Sequence, residues 1–176
     1  MPVPSDILEE KQQWKDTDLV LSECAAMTKG LTAEDFAGLT PETAKTTGQK
    51  LYVGYGITGV RGQAEAGFPA VKNIGLPTLE AALAAGKTWN EAGCAALLSM
   101  LAQTVDTNMI HRGGMETTRE IMDLLQGILA EEPYPSRETL ENLDRLFVQK
   151  NLSPGGTADL LALVYFLHFL KEEGHE

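Results

Sequence analysis

The stretch from Ala158 to Leu170 constrains this chain more than any other segment. Its inner run, Leu160-Leu161-Ala162-Leu163-Val164-Tyr165-Phe166-Leu167, is apolar on every face of a helix. A helix of that kind has to be covered on all sides. It is too short for a bilayer, which takes about 20 apolar residues in succession, and Asp159 and His168 interrupt it. Its expected place is the centre of a helical bundle. The chain is long enough to build one: 176 residues, 43% apolar and 22% charged, make one sizeable domain.

The other segments read as helices as well. Leu19, Val20, Leu21, Ala25, Ala26 and Met27 fit one helix closed by Gly30, and Thr32 can cap a short turn through Phe36. Thr40-Pro41-Glu42 reads as an N-cap, a proline and an acid of a first turn, predicting a helix to about Val53. Leu51-Tyr52-Val53 is a candidate strand with no evident partner. Thr78 is placed to cap a helix ending near Gly86. Thr88-Trp89-Asn90-Glu91 is a capping box, and the helix it opens runs to Val105, roughly 26 Å. Ile121, Leu124, Leu125, Ile128 and Leu129 define another helix that stops before Pro133. Ser136 caps the next, with Leu140, Leu143, Leu146 and Phe147 on one side. The predicted fold is a single all-α domain over residues 1–176, about seven or eight helices joined by glycine-rich loops.

Charge narrows the function classes. Fourteen Lys and Arg stand against 25 Asp and Glu, a net charge of −11. That balance argues against general nucleic-acid binding, which depends on cations neutralising phosphates. No segment reads as a membrane span or as a signal peptide. Cys24 and Cys94 have no metal-type spacing and read as buried free thiols of a reducing cytoplasm. Trp14 and Trp89 read as packing residues, and His168 as a core histidine.

Three polar clusters exceed what a helical fold requires. The first is the loop from Gly56 to Pro69, with Gly59, Gly62 and Gly67 around Arg61. Such a turn lets backbone N–H groups approach an anion, and Arg61 adds a charge. A tight interhelix turn explains it equally well. The second is Asp106-Thr107-Asn108-Met109-Ile110-His111-Arg112-Gly113-Gly114, expected at the C-terminal end of the long helix. Asp106 and Asn108 offer hard oxygens suited to Mg²⁺. Arg112 suits a phosphate and His111 acid–base chemistry. The plain alternative is a helix end followed by a glycine turn. The third is Asn151-Leu152-Ser153-Pro154-Gly155-Gly156-Thr157-Ala158-Asp159, a glycine pair at a helix start with the hydroxyls of Ser153 and Thr157. Asp159 is either a first-turn acid complementing the helix dipole or a buried carboxylate in need of a partner.

Taken in this order and spacing, Gly59 to Pro69, Asp106 to Gly114 and Leu152 to Ala162 resemble the triphosphoribosyl-dephospho-CoA synthase family. The resemblance runs from about Leu19 to Leu170. It covers the C-terminal part of the family's longer domain, whose N-terminal Pro-Lys-Pro-Gly and Asn-Thr-His-Lys-Gly segments are absent here. It implies a cytoplasmic all-α pentosyltransferase that joins ATP to 3′-dephospho-CoA and releases adenine. The product is the precursor of an acyl-carrier prosthetic group of citrate lyase or malonate decarboxylase. Residue by residue, it implies that Arg61, Gly62, Asn108, Arg112, Gly113, Ser153, Gly155 and Gly156 bind nucleotide and phosphate. Asp106 and Asp159 would hold Mg²⁺, and Glu65 and His111 would serve in acid–base chemistry. Small-molecule substrates are expected, with no nucleic acid and no membrane. Self-association into a homodimer would cover an apolar face left by missing helices. The alternative reading is a catalytically incomplete helical nucleotide-binding module. An all-α Mg²⁺-dependent nucleotide hydrolase fits less well, because no Glu-x-x-Glu pair stands beside the glycine loops.

Overall fold

The computed structural model describes residues 36–173. The helix over Leu19–Met27, its Gly30 stop, the Thr32 cap, Trp14 and Cys24 lie outside these residues. Within them the chain is all-α, with seven α-helices and no strand. They are α1 (Thr47–Tyr55), α2 (Gly59–Glu65), α3 (Leu76–Ala84), α4 (Trp89–Leu101), α5 (Thr107–Glu131), α6 (Arg137–Gln149) and α7 (Gly155–Glu173). A π-helical turn, Val71–Gly75, leads directly into α3.

Local chemistry fixes most of the boundaries. The capping box at α4 forms as expected: the Glu91 N–H donates to Thr88 Oγ1, and the Glu91 carboxylate accepts from the Thr88 N–H and hydroxyl. Ser136 caps α6 through the Thr139 N–H. The helix expected from Thr40 starts later. Residues 40–44 close a hydrogen-bonded turn on the Thr40 carbonyl. Thr46 and Gln49 then form a reciprocal capping box that opens α1. Two mutual hydrogen bonds outcompete a proline in a first turn. Leu51, Tyr52 and Val53 lie inside that helix, so the strand reading does not hold. Thr78 is interior to a helical stretch that begins at Pro69 rather than a cap, since the π-turn feeds α3 without a break.

Helix α4 stops at Leu101, short of Val105. Asp106 takes an extended backbone (φ −87°, ψ 119°) as N-cap of α5, and an N-cap conformation ends whatever helix precedes it. Asp106 thus starts a helix instead of finishing one. Gly114 breaks α5 internally with φ 82° and ψ 170°, a conformation open to glycine and strained for residues with a Cβ. Past it, Thr118 donates to the Gly114 carbonyl at 2.8 Å.

Two apolar cores meet on α4. Ala92, Ala96 and Met100 pack with Val71, Leu76, Leu79 and Ala82 and with Leu160, Val164 and Leu167 of α7. The other flank, Leu98 and Leu101, packs with Met109, Ile121 and Leu125 of α5, Leu143 of α6 and Leu152. The central helix is therefore α4. Helix α7, expected at the centre, buries one side, through Thr157, Leu160, Val164, Leu167 and His168. Its opposite side carries Phe166 and Phe169, 51% and 47% exposed. Tyr165 reaches across to donate to the Trp89 carbonyl at 3.0 Å. Trp89 is half exposed and packs on Tyr165, His168 and Phe169. His168 is buried, 3.7 Å from the Glu80 carboxylate. No described helix is long and apolar enough to cross a membrane.

Gly75 sits where the π-turn, α4 and α7 touch. A Cβ there would lie 2.5 Å from Val164 Cγ2 and 2.7 Å from Met100 Sδ. Gly75→Ala is expected to cost about 1–3 kcal/mol by overpacking, read as a lower urea midpoint at unchanged slope. Cys94 is a half-buried free thiol, and burial, helped by the Glu91 charge, raises its pKa. Its alkylation, mapped by mass spectrometry, is expected to rise only above the ordinary thiol range, because the thiolate is the reactive form.

Candidate active site

The three glycine-bearing clusters, far apart in sequence, converge on one cavity of about 330 Å³. Gly56 to Val60, Gly62, Gln63, Ala66 and Pro69 form one wall. Gln103 to Thr107 form the second, and Gly156, Thr157 and Leu160 the third.

Asp106 holds these walls together. It is 3% exposed, and its carboxylate accepts from four donors. Oδ1 takes the Asn108 and Met109 N–H groups at 2.8 and 3.2 Å. Oδ2 takes the Thr157 N–H and hydroxyl at 2.7 and 2.9 Å, across 51 positions of sequence. One carboxylate therefore caps α5 and ties down the first turn of α7. Both helix N-termini favour negative charge, and the four bonds account for the burial of an ion that is otherwise costly.

Close contacts need glycine here. Gly59 has φ 61°, and a Cβ on it would lie 2.8 Å from Thr107 Cγ2. A Cβ on Gly156 would lie 3.2 Å from Val60 Cγ2 and 3.3 Å from Asp106 Oδ2. These approaches join the first cluster to the second and third. Gly155 abuts the Asn108 amide and Gly113 abuts Leu152, so the second and third clusters run side by side. On the first wall, Gln63 Oε1 accepts from the Ala70 N–H at 3.0 Å, which fixes the start of the helical stretch that carries the π-turn.

Of the residues singled out from sequence, Gly62, Asp106 and Gly156 line the cavity. Asn108, Gly113, Ser153 and Gly155 sit on the paired segments around it. Arg112 is exposed and donates to Asn151 Oδ1 at 3.4 Å. Arg61 lies over the Phe36 ring, 4.3 Å from its centroid, and Phe36 in turn packs on Tyr52 of α1. Glu65 and His111 are exposed, at the end of α2 and on α5. Asp159 is exposed on the first turn of α7, so the carboxylate that begins this helix is not buried; the buried one is Asp106. Four protein donors thus engage the Asp106 carboxylate, while Asp159 is exposed. Among the described residues no group of three or more His, Cys, Asp or Glu is arranged to hold a metal. Sequence reasoning passed over Thr58, Thr104 and Thr107 as site residues, and it noted Thr157 only as a hydroxyl. No residue pattern marks them, because threonine is common in caps and turns.

An all-α domain whose three motif loops close around one cavity narrows the class. The chain belongs to the CitG family, ATP:dephospho-CoA triphosphoribosyl transferase, whose model matches residues 5–176. It is 42% identical over 130 residues to the 2-(5″-triphosphoribosyl)-3′-dephosphocoenzyme-A synthase of Pectobacterium atrosepticum, covering 74% of this chain and 42% of that protein. It is 35% identical over 153 residues to the synthase of Escherichia fergusonii, covering 85% of this chain and 50% of the other. A probable synthase of Malonomonas rubra is 33% identical over 154 residues, 85% of this chain and 49% of the other. The chain thus spans about half the length of these curated relatives. No solved structure matches it.

Removing the Asp106 carboxylate leaves buried N–H groups without acceptors. Hydrogen bonds to charged groups are worth about 1.5–3 kcal/mol each, so Asp106→Ala is expected to destabilise the domain by about 3 kcal/mol or more. Thermal and urea unfolding measure this. Asp159→Ala is expected to stay within about 0.5 kcal/mol of the parent.

Proposed function

We propose that this chain forms the nucleotide-handling part of a pentosyltransferase. The enzyme would join ATP to 3′-dephospho-CoA to give 2′-(5″-triphosphoribosyl)-3′-dephospho-CoA and adenine. The observation that carries this reading is the convergence of the three family-type motifs on one cavity. In the reaction the C1′–N bond of ATP breaks, and its electron pair leaves with adenine. A hydroxyl oxygen of dephospho-CoA forms the new bond to C1′. The hydroxyl proton is released and adenine takes one up, so the exchange balances. Positive charge develops on the ribose, as it does in glycoside hydrolysis.

Roles follow from position. Arg112 lies about 7.5 Å along α5 from Thr107, at 1.5 Å per residue, and is proposed to meet phosphates outside the cavity, with Arg61 as a second cation. Gly62, Gly113, Gly155 and Gly156 let backbone approach the nucleotide, and Asn108 and Ser153 position it. Glu65 and His111 are the proposed acid–base pair, brought to the reacting atoms when substrates are bound. Mg²⁺ is proposed to arrive with the triphosphate as part of the substrate, and no step here runs through a resident ion. The product would serve as a prosthetic-group precursor for the acyl carrier of citrate lyase or malonate decarboxylase. A cytoplasmic setting, an absence of nucleic-acid partners and a homodimer complete the proposal.

The test is adenine release, followed by chromatography, from ATP, 3′-dephospho-CoA and Mg²⁺. The chain is assayed alone and with the portion of the relatives that it does not cover. Release is expected, and Arg112→Ala is expected to weaken ATP binding about tenfold, as loss of one charge-assisted contact would, with helicity retained. ATP binding with no adenine release in either mixture would replace the transferase by the nucleotide-binding module.

A further inference from the structure

The charge of the cavity wall runs against the cargo that glycine loops usually take. Among the described residues, Asp106 is the sole ionisable one in the lining, and it is an acid. Its carboxylate already occupies the N–H groups of Asn108, Met109 and Thr157. These are three of the first-turn donors of α5 and α7, the kind of group a phosphate would otherwise use. An entering phosphate would meet a fixed negative charge with those donors spent.

What remains in the lining is uncharged. Thr58 and Thr107 carry hydroxyls, and the Thr104 hydroxyl, which donates to the Met100 carbonyl at 2.7 Å, keeps only its acceptor side. Gln63 has its amide N–H₂ left after its oxygen accepts from Ala70. Gln103 has its oxygen left after its amide donates to the Ser99 carbonyl at 3.2 Å. Ile57, Val60, Pro69 and Leu160 supply apolar wall. A few polar groups among apolar surfaces suit a flat heterocycle and a hydroxylated sugar, and about 330 Å³ lies at the small end of ligand sites.

We propose that this cavity receives the uncharged adenosine half of a substrate, and that the phosphates lie outside it. The inference rests on the reading of the chain as a nucleotide-handling domain and assigns the part of the nucleotide that enters. Both ATP and 3′-dephospho-CoA carry an adenosine, so the shared chemistry is the nucleoside.

Amide chemical shifts of the 176-residue chain decide it, titrated separately with adenosine, ATP, 3′-dephospho-CoA and inorganic tripolyphosphate. Adenosine is expected to move the Gly59, Thr107, Gly156 and Thr157 amides, with an affinity for these sites independent of salt. Tripolyphosphate is expected to bind there at least tenfold more weakly. Comparing ATP with 3′-dephospho-CoA at equal concentration tells which adenosine the cavity serves. Tripolyphosphate moving these amides as strongly as ATP would overturn the proposal, and so would an absence of any response to adenosine. The adenine-release assay is independent of this result. Release without an adenosine response removes the assignment and keeps the transferase, and an adenosine response without release does the reverse.

Discussion

Everything at the functional end of the molecule hangs on one buried carboxylate. Asp106 sits where two helices begin, and it answers the hydrogen-bonding demand of both with its two oxygens. Without it, α5 and α7 would start with bare donors facing each other across an apolar interior. With it, the loop before α5 and the loop before α7 keep a fixed relation, and the Gly59 turn can close against both. An acid in this position also sets the sign of the local field.

Much of the helical layout was legible from sequence, because caps are local chemistry. The Thr88 box, the Ser136 cap and the stop before Pro133 involve residues three or four apart, and pattern reading reaches that far. It went astray where two local signals competed. Thr40-Pro41-Glu42 and Thr46-x-x-Gln49 both look like helix starts, and the reciprocal pair won. Asp106 reads from sequence as a helix end, and its partners make it a helix start. The apolar run in α7 was read as a sign of central burial. Its composition does not say how many sides find partners, whereas the Ala and Leu flanks of α4 sit in both cores.

The site was legible as three separate places and not as one. Glycine density and polar crowding marked each cluster, but their union depends on contacts such as Asp106 to Thr157 that no local period encodes. The same limit explains the reversal between the two acids. Asp106 and Asp159 look alike in sequence, yet one is enclosed by donors and the other faces solvent. Threonine is common in caps and turns, so the threonines of the lining carried no signal of their own.

The position of α4 between two cores has a mechanical consequence. Its flanks belong to different hydrophobic clusters, so neither cluster can loosen without disturbing the helix on which the other is built. Local opening in such an arrangement approaches the cost of global unfolding. The cavity walls are rooted in both clusters, through Leu160 on one side and Leu101 and Met109, close by in sequence, on the other. A ligand therefore meets a surface that is already shaped.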